Sequence, residues 1–419
     1  MAAPTPSQTD AKQHPTIPPP FEAEVAVVLQ ELRPALAGVL EGLTPPILRA
    51  TDLGRRLSID KNLSWHIFNA ATAHDTRTLA SLLPGRRAME RFFTAVAVQG
   101  VADGAIDRAR AAYERFEASV ERHAANRDAF AAMVAGIGLR DQGLDNHAAA
   151  DAKQKRAMFR AASLLWGRQA RVGLHALVVH PSAQPNLIDK VSVRATIGLH
   201  RTRRGVTLHT MGSLTHAPRR GDPPGPIAFE ALDTREASPD SVGLLRDFCS
   251  QPPPQFRLQP CGEQSISYEL VSNGVGVSSD VSFALGHVMR ASGVMPGSVA
   301  GSEIAMSARV VAPWEVYIGD MLMHESVWDE GLPEVRVYAY PSQGSALEYR
   351  DADLLPIIEK THYLGRGVDS GRTPLIPRYA EMMLYAMERV GWKPEEFRVF
   401  RCRVDYPVVQ SRIRMRFAR

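Results

Sequence analysis

Apolar residues recur at helical spacing from Phe21 to about Arg171, and Phe21, Val25, Val28, Leu29 and Leu32 form one such stripe. Pro34 and the Thr44-Pro45-Pro46 cluster interrupt it, with Thr44 a suitable N-cap for a helix that carries proline in its first turn. Short helices are therefore expected at the start. Further helices are predicted over Arg86 to Val98, Ala105 to His123, Arg127 to about Ile137 and Asp151 to Leu174. Ile106, Ala109, Tyr113, Phe116 and Val120 are three or four apart, which places them on one buried face.

Around His180 the period changes. Alternating Val, Thr, Leu and Ile predict strands over Val191 to Leu199 and Val206 to Met211, with Arg201-Thr202-Arg203-Arg204-Gly205 as the basic tip of a hairpin between them. Later strands are expected at Ser265 to Val271, Ile304 to Val311, Trp314 to Ile318, Val335 to Tyr340, Phe397 to Tyr406 and Val408 to Phe417, and a helix over Pro377 to Val390 ends at Gly391. The fold class that follows is α+β: an all-helical N-terminal half, then a largely antiparallel α+β domain. The expected boundaries are a disordered tail over 1–20, a helical region over 21–175, and an α+β domain over 176–419 with an effector-sensing or dimerising role.

Composition narrows the partners. The 49 basic and 45 acidic residues nearly cancel, so binding to nucleic acid through bulk charge is excluded and any such contact must be local. Three cysteines, Cys249, Cys261 and Cys402, have no metal-ligand spacing and suit a reducing cytoplasm. No apolar run is long enough for a membrane helix, and the first residues lack the basic head and apolar core of a secretory signal.

One segment, Ala50 to Ala73, departs from this balanced background. Between Arg49 and Arg91 stand eight basic residues against four acidic ones, an excess equal to the net +4 of the whole chain. Thr51 can cap a helix from Asp52 to Leu57, Gly54 permits close approach, Ser58 and Ile59 form a turn, and Asp60 can cap a second helix from Lys61 to about Ala71 by accepting from the backbone of Asn62 or Leu63. Leu53, Leu57, Ile59, Leu63 and Ile67 make the inward set. Lys61, Asn62, Ser64, Trp65, His66 and Asn69 are then expected on the outer arc, with Arg55 and Arg56 facing phosphates. Through Leu53-Gly54-Arg55-Arg56-Leu57-Ser58-Ile59-Asp60-Lys61 the segment resembles the helix-turn-helix of bacterial transcriptional regulators, over about 24 residues. The resemblance implies a helix-turn-helix at 51–71, double-stranded DNA as partner and a homodimer on two half-sites.

Other constellations fail on spacing. His200, His209 and His216 lie near the predicted hairpin but match no metal motif, and Met323-His324-Glu325 is followed by Trp328 where HExxH needs its second histidine. Asn273-Gly274-Val275-Gly276-Val277 lacks the third glycine of a dinucleotide loop, and Gly297-Ser298-Val299-Ala300-Gly301 lacks the nucleophile-elbow spacing. Arg412, Arg414 and Arg416 alternate with Ile413, Met415 and Phe417, as on a charged edge strand, with a phosphate-contacting or acidic-partner surface as the second reading. The expected function is a cytoplasmic DNA-binding regulator without cofactor, metal or catalytic residues, responding to an unidentified small-molecule or protein effector. The alternatives are a non-enzymatic scaffold and, third, an enzyme whose site is assembled from the C-terminal sheet.

Overall fold

The structure is a computed structural model that describes residues 21–73, 76–136, 142–213, 215–216, 227–233, 235, 243–260, 265–271, 274–298, 302–328, 331–340, 349–355, 357 and 359–418. The tail over 1–20, Cys261, Asn273 and residues 299–301 lie outside this set. The class is α+β. Helices α1 (Phe21–Glu41), α2 (Ala50–Leu57), α3 (Lys61–Thr72), α4 (Thr76–Leu82), α5 (Arg86–Val98), α6 (Asp103–His123) and α7 (Arg127–Gly136) surround one core, in which Leu32, Leu36, Phe92, Phe93, Phe116 and Phe130 are fully buried. The expected face of Ile106, Ala109, Tyr113, Phe116 and Val120 is buried throughout.

Pro34 does not end the first helix. It stands inside α1, flanked by buried Leu32, Arg33, Leu36 and Leu40. Packing on both sides of the proline holds α1 together across the hydrogen bond that the ring removes. Thr44 therefore caps nothing and lies in the connection before α2. The helix expected to run on to Leu174 is α8 (Gln142–Leu165), and Gly167, at φ +65°, turns the chain into the first strand before the apolar run begins. Val172 to Val179 is an unbroken buried stretch, in which periodicity does not separate a strand from a helix.

The strands are β1 (Arg168–Pro181), β2 (Leu187–Arg201), β3 (Leu208–Ser213), β4 (Thr215–His216), β5 (Ile227–Ala228), β6 (Glu230–Ala231), β7 (Gln255–Pro260) and β8 (Ser265–Val271). They continue with β9 (Val281–Val294), β10 (Glu303–Arg309), β11 (Trp314–His324), β12 (Glu334–Tyr338), β13 (Thr361–Arg366), β14 (Phe397–Asp405) and β15 (Arg412–Ala418). A seven-stranded sheet has the order β13-β14-β11-β1-β2-β9-β6, with three-stranded sheets β10-β15-β12 and β3-β8-β7 beside it. Pairing is antiparallel except between β1 and β11. The expected hairpin does not form: β2 lies between β1 and β9, whereas β3 pairs with β8 in another sheet. Arg201 is accordingly buried, with its Nε donating to Val206 O 2.5 Å away.

The basic strand is not at an edge. β15 is the central strand of its sheet, where Arg414 and Arg416 pair with Glu303, Arg416 also pairs with Glu334, and Arg412 and Arg414 flank the ring of Tyr349. Edge protection is therefore not its role.

The two faces of the large sheet follow from strand alternation. One, carrying Leu177, Val179, Met321 and Cys402, packs under the two small sheets. The other, carrying Val178, Val193, Ile318 and Val399, is covered by α9 (Tyr379–Glu388) through Tyr379, Met382, Met383 and Ala386. On the α9 face, buried Asp320 accepts two hydrogen bonds from Arg401, both at 2.7 Å, and one from Tyr379 Oη at 2.6 Å; Arg401 also donates to Gly371 O. The helical half docks beside this network. Buried Arg33 donates to the carbonyls of Arg372 and Ser370, and Glu41 pairs with Arg372 at 2.6 Å.

Candidate nucleic-acid interface

The helix pair α2–α3 is built by local rules. Asp60 caps α3, its Oδ1 accepting from Leu63 N at 2.8 Å, as one of the two expected bonds. The first cap differs: α2 begins at Ala50, Arg49 occupies the N-cap without a side-chain bond, and exposed Thr51 lies within the first turn. Between the helices Ser58 adopts the left-handed conformation, φ +52°, with its backbone N–H donating to Gly54 O. A serine thus does at the turn what a glycine does without steric cost. A Cβ on Gly54 would come within 2.9 Å of Ser64 Oγ, so the two helices meet there at backbone distance.

This contact corrects one expected site residue. Ser64 is not on the outer arc; it is buried under Gly54, and its hydroxyl donates to Lys61 O at 3.0 Å. Helical periodicity puts residue 64 at the rim of the apolar stripe, and the close approach at Gly54 moves that rim inward. His66 and Asn69 are half-buried and already engaged: His66 Nδ1 donates to Leu82 O at 2.9 Å, and Asn69 Nδ2 donates to Trp65 O at 2.7 Å. Arg55, Arg56, Lys61, Asn62 and Trp65 are exposed. Arg55 lies 3.4 Å from Asp52, an exposed pair of little energetic weight.

Phe68, bulky for such a helix, has a specific place. It packs against both the helical core and the sheet core on the α9 face, while Arg403 Nη1 donates to Thr72 O at the end of α3. Arg49 reaches Glu315 at the start of β11. The C-terminal end of α3 is thereby fixed to the sheet, and its N-terminal half, with Lys61, Asn62 and Trp65, is left to solvent.

Two other groups escaped the sequence reading because distant strands assemble them. The parallel pairing of β1 and β11 sets His180 beside His324, and Glu396 arrives just before β14; their ligand atoms lie within 4.8 Å of one another. His180 Nδ1 donates to Pro181 O at 2.6 Å, and its ring stacks on Trp392. Two imidazoles and a carboxylate are a set that suits a divalent transition metal, although Glu396 already faces His324 at 3.4 Å and Lys393 at 3.7 Å. The second group is the cationic lining of a cavity on the face of the sheet opposite α9. His200 is in neither: it is buried beside Gln169 on β1, and in the ladder His209 is registered with Glu269 of β8. Compared with known proteins, the chain matches no family model and no curated sequence.

Proposed function

We propose that the protein is a DNA-binding regulator that meets the duplex through α2–α3, with the rest of the chain carrying regulation or self-association. The observation that supports this most is the division of α3. Its apolar side, its cap and its C-terminal end are all committed to the fold, while its N-terminal turn exposes Lys61 and Asn62 beside Arg55 and Arg56 of α2. In helix-turn-helix proteins the N-terminal residues of the second helix reach base edges, and flanking arginines hold phosphates. Asn62 offers the amide that pairs with adenine, and Lys61 the ammonium that reaches guanine or phosphate. One such helix reads only a few base pairs, so a homodimer on two half-sites belongs to the reading.

Trp65 favours a second reading. An indole 47% exposed on the same face is the kind of anchor that protein interfaces use.

The test is fluorescence anisotropy with mixed genomic DNA fragments at about 50 and about 200 mM salt. A regulator binds with a steep salt slope, loses affinity roughly uniformly with Arg55→Ala or Arg56→Ala, and changes sequence preference with Asn62→Ala. No binding at the lower salt would sink the DNA reading and leave protein docking through Trp65 as the use of this face.

A further inference from the structure

A cavity of about 220 Å³ lies between the large sheet and the small sheets, on the face opposite α9. Two glycines shape its floor. A Cβ on Gly173 would strike the Trp314 indole at 2.6 Å, and one on Gly319 would meet the Tyr317 ring and hydroxyl at 3.0 Å, so both aromatic side chains lie close against the strands. Their rings stack, 16° from parallel, with centroids 5.8 Å apart. Leu199, Leu208, Phe283 and Ala308 supply apolar wall.

The polar groups of this cavity are one-sided. Arg194, an exposed residue, rises into it from the middle of β2, and desolvation by the surrounding protein lowers its pKa. It has no hydrogen-bond or ion-pair partner among the described residues. Tyr317 Oη, Trp314 Nε1 and Arg168 Nε are buried, likewise without a partner among the described residues. The other Arg168 nitrogens donate to Thr207 O and Val311 O, at 3.1 and 3.0 Å. Burial, and after it the charge of Arg194, pushes the pKa of His175 and of His287 down, so both imidazoles beside the cation are neutral at pH 7. The cavity is therefore lined by three guanidiniums, Arg168, Arg194 and Arg309, none paired with a carboxylate among the described residues, together with several idle donors and an aromatic floor, and no carboxylate is among its lining residues.

Buried donors left idle are costly, and guanidiniums gathered round one cavity without a carboxylate repel one another. A ligand that brings acceptors and a negative charge relieves both. We propose that this cavity is a binding site for a small organic acid, whose carboxylate is received by Arg194 and the Tyr317 hydroxyl and whose apolar body lies against Trp314 and Phe283. Chemistry selects a carboxylate over phosphate. Its two oxygens fit the planar fork of Arg194, and its apolar remainder suits the aromatic and aliphatic walls, which would desolvate the outer oxygens of phosphate. The site is separate from α2–α3 and does not depend on the DNA reading.

The test is titration calorimetry on the full chain at pH 7, with benzoate and hexanoate, their neutral counterparts benzamide and hexanamide, and inorganic phosphate. At least one acid is expected to bind at least tenfold more tightly than its amide, with a change in tryptophan emission, and phosphate is expected not to compete. Arg194→Met is expected to weaken the acid at least tenfold, and Tyr317→Phe, which removes only a hydroxyl, several-fold. The proposal is overturned if neither acid binds at millimolar concentration, if the amides bind equally well, or if phosphate competes as strongly as the acids. Should Arg194→Met fail to fold, the acid-to-amide ratio in the natural chain and Tyr317→Phe still decide the question.

Discussion

The two faces of the large sheet handle an arginine in opposite ways. On the α9 face, Arg401 meets Asp320 in a two-pronged ion pair whose remaining capacity is filled by Tyr379 and Gly371 O, and the carboxylate raises the arginine's pKa despite burial. On the other face, exposed Arg194 lines the cavity with no such partner among the described residues, and desolvation lowers its pKa. Ladder pairing sets them on opposite faces of the sheet: Arg401 is registered with Asp320 and Asp320 with Ala176, whose neighbour His175 is registered with Arg194. The matched cation is a structural fastening for α9 and the helical half; the unmatched one is a vacancy for an anion.

The largest expected effect breaks the matched face. Asp320→Ala strands Arg401 and should cost about 3–5 kcal/mol in urea unfolding. Adding Arg401→Met should recover part of the loss, because the stranded charge goes with it. No recovery would mean that the network holds α9 through packing rather than through charge.

The next effect concerns the unmatched face and pH. Burial, with Arg194 second, brings the pKa of His287 down to about 4 from an ordinary value of 6.5. The unfolded chain therefore binds a proton that the folded chain refuses between those values. The stability that neutral His287 carries is complete above pH 6.5 and is lost as pH falls through 6.5 toward 4, with the slope vanishing below that. The total is roughly 3 kcal/mol, and His175, pushed down in the same way, adds to it. Unfolding midpoints measured between these limits should flatten in His287→Gln; an unchanged slope would rule out His287 as the titrating group.

Arg194→Met should cost far less than the Asp320 change, shifting the ligand-free melting temperature by no more than the equivalent of about 1 kcal/mol, because exposed Arg194 leaves no carboxylate unpaired. A larger fall in melting temperature would show that Arg194 is matched after all and close the contrast between the faces.

A smaller version of the same contrast lies in the helix pair, where Asp60 is a satisfied cap and Ser58 a strained turn. Asp60→Ala should destabilise by about 1 kcal/mol. Ser58→Gly should stabilise by roughly 0.5–1 kcal/mol by relieving its positive φ. Both are read in the same urea unfolding experiment, and a loss in Ser58→Gly would mean that backbone entropy outweighs strain there.

Much of the helical half was legible because its information is local. The bounds of α5, the start of α7 and the Asp60 cap depend on residues within a turn or two of one another. Errors came where a distant contact overrode local preference: Pro34 is carried by packing around α1, and Ser64 is turned inward by Gly54. Phe68 looked out of place on α3 until the sheet core beside it was visible. In the α+β half, the positions of β8, β10, β12 and β14 were legible from alternation to within a few residues, but their partners were not. Val191 to Leu199 and Val206 to Met211 are neighbours in sequence and belong to different sheets.

By itself the sequence determined the change from helical to strand period, the two-helix unit with its cap and glycine, and a local basic excess on a balanced chain, because each is encoded within a few residues. Only the tertiary structure decided which charges are matched. Arg401 and Arg194 are indistinguishable as residues on alternating strands, and what separates them is a carboxylate 81 positions away in one case and an open cavity in the other. Burial and pairing arise from strand order, and strand order is a property of the whole chain's packing rather than of any segment.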